Sequence, residues 1–211
     1  MEDFKGQIRS LKGYGNDFWE FYNKQTKKVQ DRILWTIRVI KDIQLVPEKY
    51  LKHIDEGIYE IRVSSGNNIF RIFCFFDEGQ LVIVLNGFQK KTQKTPTEEI
   101  DKAKKLKRNI MKAKKNNLVD LEEFIDKDHG KRGTKRRDKF EEGYEAFKLG
   151  VMMQEMRLQR NMTQEQLAEK CGTTKNYISR IENDASDIRL STLMRIVREG
   201  FGGHLKLSVN L

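Results

Sequence analysis

The chain reads as two successive architectures: an α+β domain of helices on a small antiparallel sheet, then an all-α helix-turn-helix domain closed by a C-terminal β-strand. Three observations predict this. Between residues 17 and 44 apolar residues recur every three or four positions, whereas between 58 and 85 they alternate or run continuously. Charge then comes in blocks. Residues 102–115 hold eight Lys or Arg and no acid, residues 120–128 five acids against Lys127, and residues 131–139 six cations against Asp138. Such blocks are poor core material and read as linker or interaction segment. Residues 162–182, finally, have the caps and spacing of two short helices joined by a tight turn.

In the first part, Phe18, Phe21 and Tyr22, then Val29, Ile33, Ile37 and Ile40, lie at helical spacing. They fit two helices or one broken near residues 23–26, and Pro47 ends the pattern. Residues 58–63, 69–76 and 81–85 read as strands, joined by turns at 64–68 and 77–80. Short turns between consecutive strands predict an antiparallel meander with helices on one face. Thr97 opens a basic helix reaching residue 115. Residues 140–160 read as helix, with Tyr144, Phe147, Val151 and Leu158 on one stripe, and residues 190–201 as another. Gly202 and Gly203 end it, and residues 204–211 alternate as a strand, for which the same strand of a second copy is one partner.

With 211 residues there is room for two small domains, each with its own core. The net charge of +10 points to a polyanionic partner. Most of it sits early: residues 1–117 carry 24 Lys and Arg against 15 Asp and Glu, residues 118–211 17 against 16. Cys74 and Cys171 form no disulfide framework or metal set and are expected as core thiols. There is no apolar stretch of signal or membrane-span length, so a cytoplasmic protein with no membrane partner is expected. A Gly-rich phosphate loop, a zinc signature and a nucleophile elbow are all missing, and no cofactor or metal is expected.

Within residues 162–182, Thr163 is placed to cap the first short helix and Gln166 to complete a capping box. Leu167 and Ala168 form its buried side, Gly172 makes the turn, and Thr173 or Thr174 caps the second helix. Ile178 and Ile181 face inward. The polar residues Gln164, Thr174, Lys175, Asn176, Tyr177, Ser179 and Arg180 are then candidates for operator DNA, since such a motif reads base edges with the start of its second helix. A dimer matching a palindromic site is expected.

The first domain carries a second cluster. Arg62 and Arg71 fall on adjacent strands, Lys52 and His53 precede the first strand, and Phe88, Lys90, Lys91, Gln93 and Lys94 follow the third. Guanidinium and ammonium groups around a phosphate hold RNA and stabilise the charge that develops in phosphoryl transfer. Phe88 is suited to stack on an unpaired base. The plainer reading is a basic face that binds nucleic acid without cleaving it.

Residues 1–110 resemble the HigB-type toxins of the RelE superfamily, ribosome-dependent mRNA endonucleases (mRNA interferases). The resemblance lies in Gly57-Ile-Tyr-Glu-Ile-Arg62, Ile69-Phe-Arg-Ile-Phe73, Gly87-Phe-Gln-Lys-Lys-Thr-Gln-Lys-Thr-Pro96 and Glu98-Glu-Ile-Asp-Lys-Ala103. Residues 118–211 are similar to the HigA-type antitoxins, whose Xre-like helix-turn-helix represses its own promoter. The resemblance implies attack of an mRNA ribose 2′-OH on its own 3′ phosphate in the ribosomal A site. In it, Arg62 and Arg71 stabilise the phosphorane, while Lys90, Lys91 or Lys94 position RNA or act as acid or base. His53 is a rival base, and Lys52, Phe88 and Gln93 are RNA contacts. It also implies a division into a toxin domain (1–110), a charged linker and toxin-neutralising segment (111–139) and a DNA-binding domain (140–211). The acidic residues 120–128 are expected to pack on the basic first domain. The two halves are separate chains in that family; a natural fusion and two joined genes both fit this one.

Overall fold

The computed structural model describes residues 9–77, 81–91, 94–112 and 118–207. It divides into two compact units, Met1–Phe140 and Glu141–Leu211. In the first, β1 (Ser10–Tyr14), α1 (Asp17–Asn23) and α2 (Lys27–Asp42) lead into β2 (Leu51–Asp55), β3 (Ile58–Ser65), β4 (Asn68–Asp77) and β5 (Leu81–Gln89). Then come α3 (Thr97–Lys112), β6 (Leu118–Asp120), α4 (Leu121–His129) and the start of α5 (Lys135–Gln159).

The three predicted strands are β3, β4 and β5, and the sheet around them is larger, with six strands in the order β2-β3-β4-β5-β1-β6. It is mixed, not purely antiparallel as the short turns suggest, because β1 runs parallel to β5. Helices cover both faces, not one. On one face Ile61, Val63, Phe70, Ile72 and Val84 share a core with Phe18, Tyr22, Ile33 and Ile37 from α1 and α2 and with Leu121 and Ile125 from α4. On the other, Ile58, Phe73, Phe75, Ile83 and Leu85 pack with Ala103 and Ile110 of α3. The continuous apolar run of β4 is the reason: a strand covered on both sides needs apolar residues in both phases. Gly13 and Gly87 lack the Cβ atoms that would meet Trp19 at 2.5 Å and Phe21 at 2.5 Å, which lets the rings of α1 lie against the strands.

The segment 118–140 belongs to this first unit. Its β6 pairs antiparallel with β1, Lys12 opposite Asp120 and Tyr14 opposite Leu118. Asp120 caps α4 by accepting from the Glu122 amide at 2.8 Å. Phe124 stacks on Trp19 with ring centroids 4.0 Å apart. The acidic side of α4 meets the cations of α2. Glu122 lies 3.0 Å from Lys41 Nζ and 3.8 Å from Arg38 Nε, and Asp128 accepts from Lys27 Nζ at 2.9 Å and from the Tyr22 hydroxyl at 2.7 Å. Arg137, fully buried at the start of α5, reaches back to Glu122 at 3.0 Å and Asp126 at 2.6 Å.

The second unit is helical: the rest of α5, α6 (Gln164–Lys170), α7 (Lys175–Asn183) and α8 (Leu190–Arg195), which ends in a π-helical turn over Ile196–Gly200. Its core gathers Met153, Leu167, Ala168, Cys171, Ile178, Ile181, Leu193 and Phe201. Tyr144, Phe147 and Val151 are buried as their stripe predicts, while Leu158 is exposed. Residues 204–207 adopt no strand, and the remainder of the expected terminal strand lies outside the described residues. No helix among the described residues is long and apolar enough to cross a membrane.

The α4 carboxylates make the first unit acid-sensitive. Burial alone would raise the Glu122 carboxyl, but Lys41, Arg38 and Arg137 hold it below the ordinary 4.5. Asp128 is likewise held below 3.8, with Lys27, Tyr22 and His129 overcoming its burial. Groups depressed in the folded state contribute stability that is complete above their unfolded values and lost as pH falls through the folded ones. Both tryptophans, Trp19 and Trp35, lie in the first unit, so their fluorescence reports it separately. The urea midpoint of that signal should be flat from pH 7 to about 5 and fall below about pH 4.5, and Asp128→Asn should lower the plateau and blunt the fall.

Candidate functional site

In the β3–β4 hairpin Arg62 stands directly opposite Arg71, and Arg71 directly opposite Phe88 of β5. Directly paired residues share a face of the sheet, so these three side chains lie on the α3 side. Lys52 joins them, because it pairs with Glu60, which precedes Arg62 by two residues on the same strand. Two guanidiniums side by side repel unless something anionic sits between them. Glu60 supplies it. Its Oε1 lies 2.9 Å from Arg62 Nε and 2.9 Å from Arg71 Nε, and Oε2 accepts from the Thr95 hydroxyl at 2.8 Å.

The contact with Arg62 is a hydrogen bond, whereas that with Arg71 is a close ion pair at an angle poor for one. Glu60 is only 1% exposed, and a carboxylate so buried requires its charges compensated. Burial draws Arg71 below the ordinary arginine value, and Arg62 beside it pushes the same way, while Glu60 opposes both. Arg71 Nη1 donates to the Phe70 carbonyl at 3.0 Å and Arg62 Nη1 reaches the Glu48 carbonyl at 3.5 Å.

The other proposed members are placed unevenly. Lys90 follows β5 directly, its amide bonded to the Ile69 carbonyl at 2.8 Å, and Lys91 and Lys94 are exposed on the segment leading to Thr95. Gln93 lies outside the described residues. Phe88 packs on Phe73 with centroids 5.9 Å apart and fringes the α3-side core, so part of its ring is committed to packing. His53 is not brought to the pair. It stands opposite Tyr59, on the other face of the sheet, with its ring edge-on to Tyr59 at 5.2 Å. Sequence reading missed Glu60 and Thr95. The signal was present in β3 as Glu60 and Arg62 two residues apart, hence on one face.

In the second unit, Thr163 and Gln166 make the capping box, with bonds of 3.2 and 2.8 Å. Thr174 caps α7 through the Tyr177 amide at 3.2 Å. Gly172, at φ +58°, takes the left-handed conformation the turn needs. Ile178 and Ile181 are buried, while Thr174, Lys175, Asn176 and Arg180 are exposed and Ser179 half-buried. Lys175, Asn176, Ser179 and Arg180 thus form one outward face at the start of α7. Tyr177 packs partly on the core and under the Arg180 guanidinium, 5.1 Å from its ring centre. Gln164 is turned inward, donating at 2.8 Å to the buried Glu182.

Residues 20–108 match the family described as Phage derived protein Gp49-like, and residues 153–199 match the family described as Helix-turn-helix. The chain carries a Gp49-like domain followed by a helix-turn-helix domain. No curated protein matches it. The helix-turn-helix match spans α6 and α7 and marks the second unit as DNA-binding in type. The Gp49-like match contains Arg62, Arg71, Glu60 and Thr95, whereas β1, β6 and α4 fall outside it.

The helix-turn-helix is held by a buried pair that the sequence reading also missed. Arg157 of α5 meets Glu182 of α7 through two hydrogen bonds, of 2.6 and 3.0 Å, and donates a third to the Met162 carbonyl at 2.6 Å. Glu182 is fully buried. Arg157→Met strands that charge and should cost about 3–5 kcal/mol, whereas Arg157→Met with Glu182→Leu should recover most of the loss. Thermal unfolding followed by far-UV circular dichroism measures both, and equal losses in the two variants would refute the account.

Proposed function

We propose that this chain is a toxin–antitoxin system in a single polypeptide. Its first unit is a ribosome-dependent mRNA endonuclease, and its second binds operator DNA as a dimer and represses its own promoter. The observation that carries the reading is the cross-strand Arg62–Arg71 pair, with Lys52 on the same face and Lys90, Lys91 and Lys94 leaving the neighbouring strand. Such a grouping suits a scissile phosphate and the charge that grows on it as the 2′-oxygen attacks. Both arginines hold the phosphate; the lysines align the RNA and exchange protons. The Gp49-like match over this region and the adjoining helix-turn-helix support the pairing of a nuclease with a repressor.

The acidic helix α4 is spent on α2, on the sheet face opposite the arginines. Restraint of the endonuclease is therefore assigned to the second unit, tethered at high effective concentration, and not to α4 as a lid over the site. A second reading, a DNA-binding regulator whose first unit merely holds nucleic acid, draws on the shared Glu60, which halves the charge of the arginine pair.

Induced expression separates the two. Residues 1–140 alone should arrest growth, Arg71→Ala in that fragment should abolish the arrest, and the full chain should be tolerated. A folded fragment without effect would leave the regulator reading. For the second unit, Lys175→Ala should weaken binding to the DNA upstream of its own gene and reduce the salt slope by about one; an unchanged slope would remove Lys175 from the interface.

A further inference from the structure

We infer that Glu60 is a positioning residue that locks Arg62 and Arg71 into one anion grip, and that Thr95 holds Glu60 in the orientation this requires. The inference rests on the reading of the arginine pair as the phosphate-holding site. Three observations carry it. One carboxylate oxygen lies 2.9 Å from both Nε atoms, as a hydrogen bond to Arg62 and an ion pair with Arg71, so the two guanidiniums converge on it at the same end. The second oxygen is taken by Thr95 at 2.8 Å, which fixes the carboxylate plane. Arg71 Nη1 is bonded to the Phe70 carbonyl at 3.0 Å and Arg62 Nη1 lies 3.5 Å from that of Glu48, while no hydrogen bond engages either Nη2 among the described residues. With Glu60 at the Nε end and main-chain carbonyls beside Nη1, each guanidinium retains Nη2 for an incoming oxyanion.

A lone pair of arginines on adjacent strands would splay apart, and each would lose rotamer freedom on binding a phosphate. Glu60 counters the repulsion beforehand and orders both side chains before RNA arrives, at the cost of one negative charge beside the ligand. Thr95 sits immediately before Pro96, at the end of the segment carrying Lys90, Lys91 and Lys94. Its bond to Glu60 therefore also anchors that lysine-bearing segment to the hairpin.

Charge and orientation predict opposite signs, which makes the inference testable. Glu60→Gln leaves the site more positive by one, so a role in charge alone would tighten RNA binding several-fold. Positioning predicts the reverse. A short labelled single-stranded RNA, titrated into the full chain at constant salt, should bind roughly tenfold more weakly to Glu60→Gln. Thr95→Val, which changes no charge, should weaken binding several-fold. Tryptophan fluorescence verifies that the first unit remains folded, and Thr95→Val decides the matter if Glu60→Gln unfolds it. Tighter or unchanged binding in Glu60→Gln, or unchanged binding in Thr95→Val, overturns the inference. Arg71→Ala distinguishes the two failures: if it too leaves affinity unchanged, the phosphate-holding reading falls and the grip with it. If it weakens binding while Glu60→Gln strengthens it, only the positioning role is lost.

Discussion

The ionic seam between α2 and α4 is the constraint on which the first unit depends. Glu122 meets Lys41, Arg38 and Arg137, and Asp128 meets Lys27 and Tyr22. A helix as basic as α2, with Arg38 and Lys41 both buried, repels itself until acids are brought against it. That requirement brings α4 onto the face of the sheet occupied by α1 and α2, and once there its Leu121 and Ile125 enter their core. The short β6 then follows without strong β-propensity of its own, because it is tied to α4 and needs only the free edge of β1. Charge complementarity chooses the face, and apolar burial supplies most of the stabilisation.

The same device recurs at smaller scale. Glu60 between Arg62 and Arg71, and Glu182 against Arg157, are buried carboxylates that each fix arginine side chains. Their consequences differ with surroundings. Around Glu182 every guanidinium donor that is used points into the protein, toward Glu182 itself or the Met162 carbonyl, so the pair fixes how α5 and α7 pack. Gly150 assists, since a Cβ there would meet the Ile181 carbonyl at 2.6 Å. Around Glu60 the arginine side chains keep 27% and 10% of their surface exposed, so order is imposed without closing the site. A buried ion pair is weak evidence for stability; what it fixes here is the direction in which the arginine donors point.

What the sequence discloses depends on how local the determining physics is. The capping box at Thr163, the turn at Gly172 and the inward Ile178 and Ile181 are set within a few residues, and all are legible. The three long strands announce themselves by composition. The short β1, β2 and β6 do not, because each is defined by the strand it joins and not by its own pattern. His53 and Lys52 look equivalent in sequence, yet one residue of register sends them to opposite faces. Glu60 reads as an ordinary polar position of a half-buried strand until Arg71 is known to lie across from Arg62. Leu158 shows the converse: helical spacing puts it near the stripe of Tyr144 and Val151, but the helix has nearly reached its end there and the side chain stays 45% exposed.

The near-neutral charge of the second half is compatible with DNA recognition once its surface pairs are considered. Lys175 lies 3.8 Å from Glu165, and Arg180 4.0 Å from Asp187, all four side chains being well exposed. Exposed pairs at such distances contribute little, about 0–1 kcal/mol, so exchanging them for phosphate oxygens costs the fold almost nothing. The acids beside them lower the long-range attraction to any polyanion while leaving short-range contacts available. A helix surface built this way gives up long-range, non-specific attraction to polyanions while keeping its short-range donors. The strongly basic first unit has the opposite balance, its excess of cations extending an attraction to polyanions well beyond contact distance.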